Sequence, residues 1–262
     1  MTLTADVVDA AAARLLRAIA AHVPCEPVRD LIGTDDIEIA YAVQARLIAD
    51  RINSGARIVG RKIGLTSEAV QRQLGVDRPD FGCLLDDMDL TGEPSIPMDR
   101  LIQPKVEAEI AFILGQDLTA SDLDVVSVRA AVDHMRPALE IVDSRIRAWD
   151  ISFGDTVADN ASSGLFVLGD AKVALERSQP SAAEMTMTLD GHEVSAGSGQ
   201  ACLGDPLHAL AWLANTAKNL GSPLLAGQII LSGALGPMAP VTGGSKVIAT
   251  ISGLGTVTAQ FH

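Results

Sequence analysis

The stretch that decides the predicted fold is Gln103-Pro104-Lys105-Val106-Glu107-Ala108-Glu109-Ile110-Ala111-Phe112-Ile113-Leu114, a β-rich apolar run that carries two carboxylates. Residues two apart in a strand share a face, so Glu107 and Glu109 lie on one side and the apolar residues around them lie on the other. Two such carboxylates repel each other, and their burial is costly unless a positive charge lies between them. A hard divalent cation would satisfy both.

A third acidic residue, Glu140, lies inside a second short apolar run, residues 137–143. The intervening stretch from Ser121 to Arg136 has apolar residues at helical spacing and is predicted to be a helix that ends at Pro137. A strand, helix and strand in this order can bring Glu140 beside the first pair. Three carboxylates without a histidine or cysteine cluster favour Mg²⁺ or Mn²⁺ over zinc. The alternative is three solvated charges on half-exposed strands.

Composition bounds the classes of protein to consider. The chain has 262 residues, 48% of them hydrophobic, which is enough for one domain with a full core. The net charge of −13 and the lack of a basic block argue against nucleic acid and anionic membranes as partners. No apolar run approaches the roughly 20 residues of a membrane span, and the N-terminus lacks the features of a signal peptide. A cytoplasmic protein is therefore expected.

The three cysteines, Cys25, Cys83 and Cys202, are far apart and have no metal-ligand spacing. Reduced thiols are expected. The chain also lacks a dinucleotide-binding fingerprint, a P-loop, a nucleophile-elbow serine and a zinc motif.

The N-terminal part is predicted to be helical. Apolar residues repeat at helical spacing from Thr4 to His22 and again from Asp35 to Asn53, where Asp35 and Glu38 form a plausible capping pair. Residues 1–56 are thus predicted to form a helical arm. The sequence leaves open whether this arm covers the core, forms a dimer surface or does both.

The next segment, Arg57 to Leu65, is predicted to be a strand in which Lys62 has Gly60 and Gly64 two residues away on either side. Glycine in a strand is tolerated where a ligand or another backbone approaches closely. The alternative is a surface lysine beside a bulge. A short helix from about Ser67 to Leu74 is predicted next, before a turn-rich loop.

Asp80 lies in that loop directly after Pro79, whose ring restricts the local backbone. Further on, the polar stretch Asp155 to Gly164 is predicted to be a loop that could line a pocket. A hairpin is predicted at Asp190-Gly191, within Thr186 to Val194, because this dipeptide is a strong turn signal.

A helix capped by Asp205 is predicted to continue until Gly221, since Pro206 suits the first helical position. Strands joined by glycine turns are predicted from Ile229 to Pro237 and from Lys246 to Phe261. Helices and strands mix without a regular βαβ repeat, which indicates an α+β fold.

Six of these segments, taken together and in order, resemble the 2-hydroxypentadienoate (2-oxopent-4-enoate) hydratases, in the hydratase and decarboxylase branch of the fumarylacetoacetate hydrolase superfamily. The resemblance covers nearly the whole chain and rests on residues 61–67, 75–82, 106–110, 138–140, 155–162 and 232–237. One departure is Gly154, where a bulkier residue is expected.

The resemblance implies a mixed β-sheet core folded as a roll or sandwich, with peripheral helices and the helical N-terminal arm. It implies one domain, residues 1–262, in which residues 57–262 form the catalytic mixed-β core. It also implies a homo-oligomer, with a downstream aldolase or the sister decarboxylase as candidate protein partners.

The site residues implied by the resemblance are Glu107, Glu109 and Glu140 as ligands of Mg²⁺ or Mn²⁺, Lys62 and Asp80 at the substrate, and Ser162 in the pocket wall. The expected substrate is a small 2-hydroxy-dienoic acid from aromatic or steroid meta-cleavage catabolism, which gains water to give a 4-hydroxy-2-oxo acid. Asp80 is the expected base toward water and Lys62 orients it or donates a proton, although the sequence leaves the opposite assignment open.

Three other functions remain to be weighed. The nearest is 4-oxalocrotonate decarboxylation, which would use the same cation site; residues 79–82 favour the hydratase. Hydrolytic C–C cleavage would call for a histidine near Glu107, which these motifs lack. A non-catalytic subunit that scaffolds a decarboxylase would have no need of Lys62, Asp80 and all three glutamates.

Overall fold

The computed structural model describes residues 2–67, 71 and 78–262. Most of the predicted short helix from Ser67 to Leu74, and the start of the loop that follows it, lie outside the described residues. The helices are α1 Thr2–Ala21, α2 Arg29–Ile32, α3 Ile37–Asn53, α4 Val125–Ala131, α5 Phe153–Ala158 and α6 Pro206–Asn219. The strands are β1 Ile58–Gly64, β2 Asp80–Leu85, β3 Pro104–Leu114, β4 Val132–Asp143, β5 Ser163–Leu168, β6 Glu184–Leu189, β7 His192–Ser198, β8 Ile229–Leu231, β9 Ala239–Pro240, β10 Lys246–Ile251 and β11 Gly255–Gln260.

The strands form two sheets, and the α+β prediction is confirmed. The larger sheet has the order β2-β1-β8-β3-β4-β5, with β9 beside β3, and the smaller has the order β11-β10-β6-β7. The pairing of β1 with β8 is parallel, whereas β3 and β4 are antiparallel. Strands β10 and β11 pack against β4, so the main core lies between the two sheets.

The strand β4 begins earlier than predicted. Helix α4 covers only Val125–Ala131, and residues 132–136 belong to β4 instead of to a helix running to Arg136. The helical stripe competes here with a long pairing to β3, in which Met135 lies opposite Phe112, and the pairing prevails. Pro137 is tolerated inside the strand because the pairing of β4 with β5 starts only at Ala138.

The N-terminal helices pack on the segment that follows β4. They form a second core with residues 146–158, to which Leu15, Val43 and Phe153 contribute fully or almost fully buried side chains. Helix α3 is capped by Asp36, which accepts from the Ile39 N–H, so the predicted cap at Asp35 is wrong by one residue.

The sequence suggested a loop from Asp155 to Gly164, but the structure does not show one. The first part of this stretch is α5, where Ser152 and Asp155 form a capping box. The carboxylate of Asp155 also accepts from the backbone N–H groups of Val28 and Arg29, and these tertiary contacts hold the helix in the interior.

Gly154, the departure from the family pattern, is explained by a close approach of two backbones. Its N–H donates to the Thr34 carbonyl at 2.7 Å. A Cβ at this position would lie only 2.9 Å from the Gly33 carbonyl oxygen and 3.0 Å from that of Thr34. A larger residue therefore has no room between α5 and the loop before α3.

Several other predictions are confirmed. The strand around Lys62, the hairpin at Asp190-Gly191, the helix after Asp205 and the C-terminal strands are all present. The three cysteines are free. Among the residues that the structure describes, no helix is long and apolar enough to cross a membrane.

Candidate active site

The antiparallel register of β3 and β4 places Glu107 directly opposite Glu140. Glu109 lies on the same face of β3, because it is two residues further along. Each of the three side chains offers one carboxylate oxygen, and these oxygens all lie within 4.8 Å of one another. Glu109 and Glu140 are 0% and 1% exposed, while Glu107 is partly exposed.

Most oxygens of the two buried carboxylates lack a hydrogen-bond partner among the described residues. Glu109 Oε2 accepts from the Gly233 N–H at 2.8 Å. Glu109 Oε1 and both oxygens of Glu140 accept no hydrogen bond. Unpartnered buried carboxylate oxygens are costly, and an oxygen-rich set of this kind suits a hard divalent cation. The donor set therefore fits Mg²⁺ or Mn²⁺.

Crowding and burial oppose ionisation in this cluster. Burial, reinforced by the Glu140 charge, raises the pKa of Glu107 to about 7. The same two causes raise the pKa of Glu109 well above its ordinary value. A cation between the carboxylates would reverse both effects, since an opposite charge favours the ionised form.

Lys62 lies beside the acid cluster, 3% exposed, with its Nζ 3.1 Å from Glu140 Oε1. The contact is an ion pair. Burial alone would lower the pKa of Lys62, but Glu140, Asp80 and the other glutamates raise it above its ordinary value. The alternative of a surface lysine is wrong.

The glycines on either side of Lys62 are sites of close approach. A Cβ on Gly60 would collide with the Ile229 carbonyl of the neighbouring strand β8. A Cβ on Gly64 would collide with the carboxylate of Asp80. Gly60 therefore lets β1 pack closely on β8, and Gly64 leaves room beside β1 for the carboxylate of Asp80.

Asp80 is 1% exposed and, contrary to the prediction of a loop, begins strand β2, because it pairs with Gly64 of β1. Its Oδ2 accepts from the Thr156 hydroxyl at 3.4 Å, and its Oδ1 has no partner among the described residues. Burial raises the pKa of Asp80 to about 6, and Lys62 limits the rise.

Ser162 projects from a strained turn. Asn160, Ala161 and Ser162 have φ values of +55°, +51° and +53°, a region that non-glycine residues seldom occupy. The Asn160 side chain holds the turn by pairing with both the N–H and the carbonyl of Cys83. The Ser162 hydroxyl is buried and has no partner among the described residues. Strain held in this way is typical of functional sites.

One cavity joins these groups. It has a volume of about 220 Å³ and is lined by Lys62, Asp80, Glu107 and Ser162, among others. Glu109 and Glu140 adjoin it through Glu107 and Lys62. The structure thus brings all six predicted site residues to one place.

Sequence reasoning missed two residues at this cavity, Lys105 and Trp149. The Lys105 ammonium lies 4.2 Å from the centroid of the Trp149 ring. Burial lowers the pKa of Lys105, and Glu107 opposes that effect. The two-residue period that pairs Glu107 with Glu109 also places Lys105 on their face, so the signal was present.

Comparisons with known proteins are consistent along the whole chain. Residues 76–262 match the family described as "Fumarylacetoacetate (FAA) hydrolase C-terminal". The chain is 52% identical to a 2-keto-4-pentenoate hydratase of Burkholderia vietnamiensis, over 95% of each chain. It is 50% identical to the "TodF product hydratase" of Pseudomonas putida, over 99% of this chain and 97% of that one.

A solved structure, 4-oxalocrotonate decarboxylase from Pseudomonas putida G7 complexed with magnesium and adipate, superposes with a TM-score of 0.92. It is 32% identical, and the match covers 98% of this chain and 97% of that chain. Because the family match and these relatives span most or nearly all of its length, the chain belongs to the fumarylacetoacetate hydrolase family.

Proposed function

We propose that this protein is a divalent-metal-dependent hydratase that adds water to 2-keto-4-pentenoate, the keto form of 2-hydroxypenta-2,4-dienoate, and gives 4-hydroxy-2-oxopentanoate. The observation that carries the proposal is the cluster of three carboxylates beside the buried Lys62 and Asp80 in one cavity. Hydratases that are 50% and 52% identical to this chain support the same reaction.

Glu107, Glu109 and Glu140 would hold the cation, since they supply oxygen ligands with unmet demand for a positive charge. Mg²⁺ or Mn²⁺ suits such a site, and the decarboxylase relative was solved with magnesium. When bound, the cation would chelate the substrate's carboxylate and 2-oxygen and stabilise negative charge on that oxygen.

Asp80 acts as the general base toward the water that adds at C4. With a pKa of about 6 its carboxylate is mostly ionised at neutral pH, and it remains close enough to that pH to exchange a proton. The Thr156 hydroxyl donates to Oδ2, which leaves Oδ1 free for the water.

Lys62 orients the water and stabilises the negative charge that develops on the substrate. The surrounding carboxylates raise its pKa, so the ammonium keeps its proton and acts better as a fixed cation than as an acid. Glu140 holds the ammonium in place at 3.1 Å. Ser162 lies in the pocket wall, and its hydroxyl, which has no hydrogen-bond partner among the described residues, is free to form a hydrogen bond with the substrate.

The second candidate is 4-oxalocrotonate decarboxylation, which the solved relative supports through its near-complete superposition. That relative is 32% identical, whereas the hydratases reach 52%. The greater identity over an equal span favours hydration.

The two reactions are separated by offering the Mg²⁺-loaded protein each substrate in turn. We expect 2-hydroxypenta-2,4-dienoate to lose its ultraviolet absorbance and gain one water by mass. Loss of CO₂ from 4-oxalocrotonate, with the dienoate untouched, would transfer the assignment to the decarboxylase.

We also propose that the chain is one domain, in which residues 1–56 form an arm on the core of residues 57–262. We propose that it assembles as a homo-oligomer, whose size sedimentation would give.

A further inference from the structure

Lys105 lies in the outer part of the active-site cavity. In the β3–β4 register it pairs with Val142, one step beyond the pair Glu107 and Glu140 on the same face. Both Lys105 and Val142 line the cavity. The inner wall carries Lys62 and Asp80, which are 3% and 1% exposed, whereas Lys105 is only partly buried.

The two lysines of the cavity wall differ in how they are engaged. Lys62 is paired with Glu140. Lys105 makes no ion pair with any described residue and instead rests on the face of Trp149, 4.2 Å from the ring centroid. A cation held on an aromatic ring keeps its charge available for an anion, since the ring satisfies it without neutralising it.

The ring under Lys105 is held by a dedicated set of contacts. Ala148 and Trp149 have φ values of +56° and +57°, which non-glycine residues adopt only when surrounding contacts enforce it. Gln103 supplies these contacts: its carbonyl accepts from the Trp149 indole N–H at 3.0 Å, and its side-chain oxygen accepts from the Ala148 N–H at 2.8 Å.

The side-chain amide of Gln103 also holds the start of the loop that carries Trp149. This amide donates to the carbonyls of Ser144 and Ile146, at 2.9 and 2.8 Å. All polar atoms of the Gln103 side chain are thus used to hold the loop that carries Trp149. A platform built with this number of contacts indicates a fixed position for Lys105 at the mouth of the cavity.

We propose that Lys105, supported by Trp149, binds the C1 carboxylate of the substrate and so determines which way the substrate lies in the cavity. This inference rests on the proposed function. The cation site that would hold the carboxylate and 2-oxygen includes Glu107, which lies two residues from Lys105 on the same face of β3 and lines the same cavity. The carboxylate therefore lies on the Lys105 side of the cavity, and the vinyl end is left toward Asp80, which the proposed water addition at C4 needs.

The test measures binding of 2-oxopentanoate, which has the same carboxylate and 2-oxygen but no double bond to hydrate. Calorimetry with the Mg²⁺-loaded protein needs no turnover. We expect Lys105→Met to weaken binding about 10-fold or more, because a hydrogen bond to a charged group is lost. Lys105→Arg should stay within about 3-fold of the unaltered protein, since the charge is kept and a guanidinium also binds over the face of a tryptophan ring.

Two controls isolate the effect of the carboxylate. Lys246→Met removes the same charge from an exposed position on β10 and should leave binding unchanged. The neutral ligand 2-oxopentanamide should bind Lys105→Met and the unaltered protein equally. Circular dichroism and Mn²⁺ binding establish that each variant is folded with an intact acid cluster.

Three results would overturn the inference. The first is equal binding of 2-oxopentanoate by Lys105→Met, and the second is no binding by the unaltered, Mg²⁺-loaded protein. The third is that Lys105→Met weakens only the binding of adipate, the dicarboxylate in the solved decarboxylase, which would assign Lys105 to the far end of the substrate. Failure of the proposed function has a different signature, namely 2-oxopentanoate binding that depends on Lys105 in a protein that does not hydrate the dienoate.

Discussion

The Nζ of Lys62 lies 3.1 Å from Oε1 of Glu140, and both side chains are almost fully buried. This contact joins two functional groups: the three-glutamate cluster on β3 and β4, and the Lys62 and Asp80 pair on β1 and β2. The lysine is a counter-ion for the acids and, in the proposed reaction, the cation that orients water.

Replacing Lys62 should separate its two effects. Lys62→Met is expected to lower kcat by about 100-fold or more, in the range attributed to a preorganised group that stabilises developing charge. Binding of Mn²⁺ should be retained or become tighter, because a positive charge next to Glu140 repels the cation. Electron paramagnetic resonance measures the free Mn²⁺ directly. The prediction would be refuted if Lys62→Met lost Mn²⁺ binding while the protein that still held metal kept its kcat.

The pH dependence follows from Asp80, whose pKa is raised to about 6. A base must be ionised to work, so kcat/KM should be full above this pH and fall as the pH decreases through it. A bound cation would move this acid limb to lower pH, since positive charge favours the carboxylate. Asp80→Asn should lose activity at every pH. An acid limb of unchanged position and height in Asp80→Asn would show that another group is the base.

The contact at Gly154 predicts a change in stability. Gly154→Ala is expected to lower the free energy of unfolding by about 1–3 kcal/mol, because the added methyl meets two carbonyl groups that cannot move apart freely. Gly243→Ala is the matched control, as its Cβ would meet only Met98 Cγ at 3.8 Å. Thermal unfolding of both variants measures the difference. Equal melting temperatures would contradict the close packing of α5 on the N-terminal arm.

The buried pair of Arg145 and Asp159 lies behind the turn that carries Ser162. Arg145 also donates to the carbonyls of Asp143 and Ser163. Arg145→Met should cost about 3–5 kcal/mol of stability, since it leaves a buried carboxylate without its partner.

The exposed pair of Arg147 and Glu26 provides the matched control for that prediction. Arg147→Met should cost less than about 1 kcal/mol, as exposed ion pairs contribute little. Urea unfolding compares the two variants. Similar losses in both would mean that the buried pair does not hold the turn.

The sequence predicted the parts of the site that depend on local periodicity. The two-residue alternation of Glu107 and Glu109 was sufficient to place them on one face of β3. The strand around Lys62 was predicted in spite of its two glycines, which weaken a strand and indicated a close approach. The predicted helix before Pro137 was wrong at its end because the pairing with β3 is a tertiary effect that helical spacing does not report.

Other features could not be predicted because no residue pattern signals them. The turn at 160–162 has three non-glycine residues with positive φ, held by contacts of Asn160 with Cys83, which is far away in the chain. Trp149 reaches the cavity through a loop that Gln103 fixes from another element. Such positions depend on long-range hydrogen bonds and appear only in the folded chain.

The most direct test of metal-dependent hydration is the mass of the product formed from 2-hydroxypenta-2,4-dienoate in ¹⁸O-labelled water, with Mg²⁺, after EDTA, and with Glu107→Ala. We predict one labelled oxygen retained at C4 with Mg²⁺, and unconsumed dienoate both after EDTA and in the variant. Equal formation of the labelled product after EDTA, or in Glu107→Ala, would contradict the account.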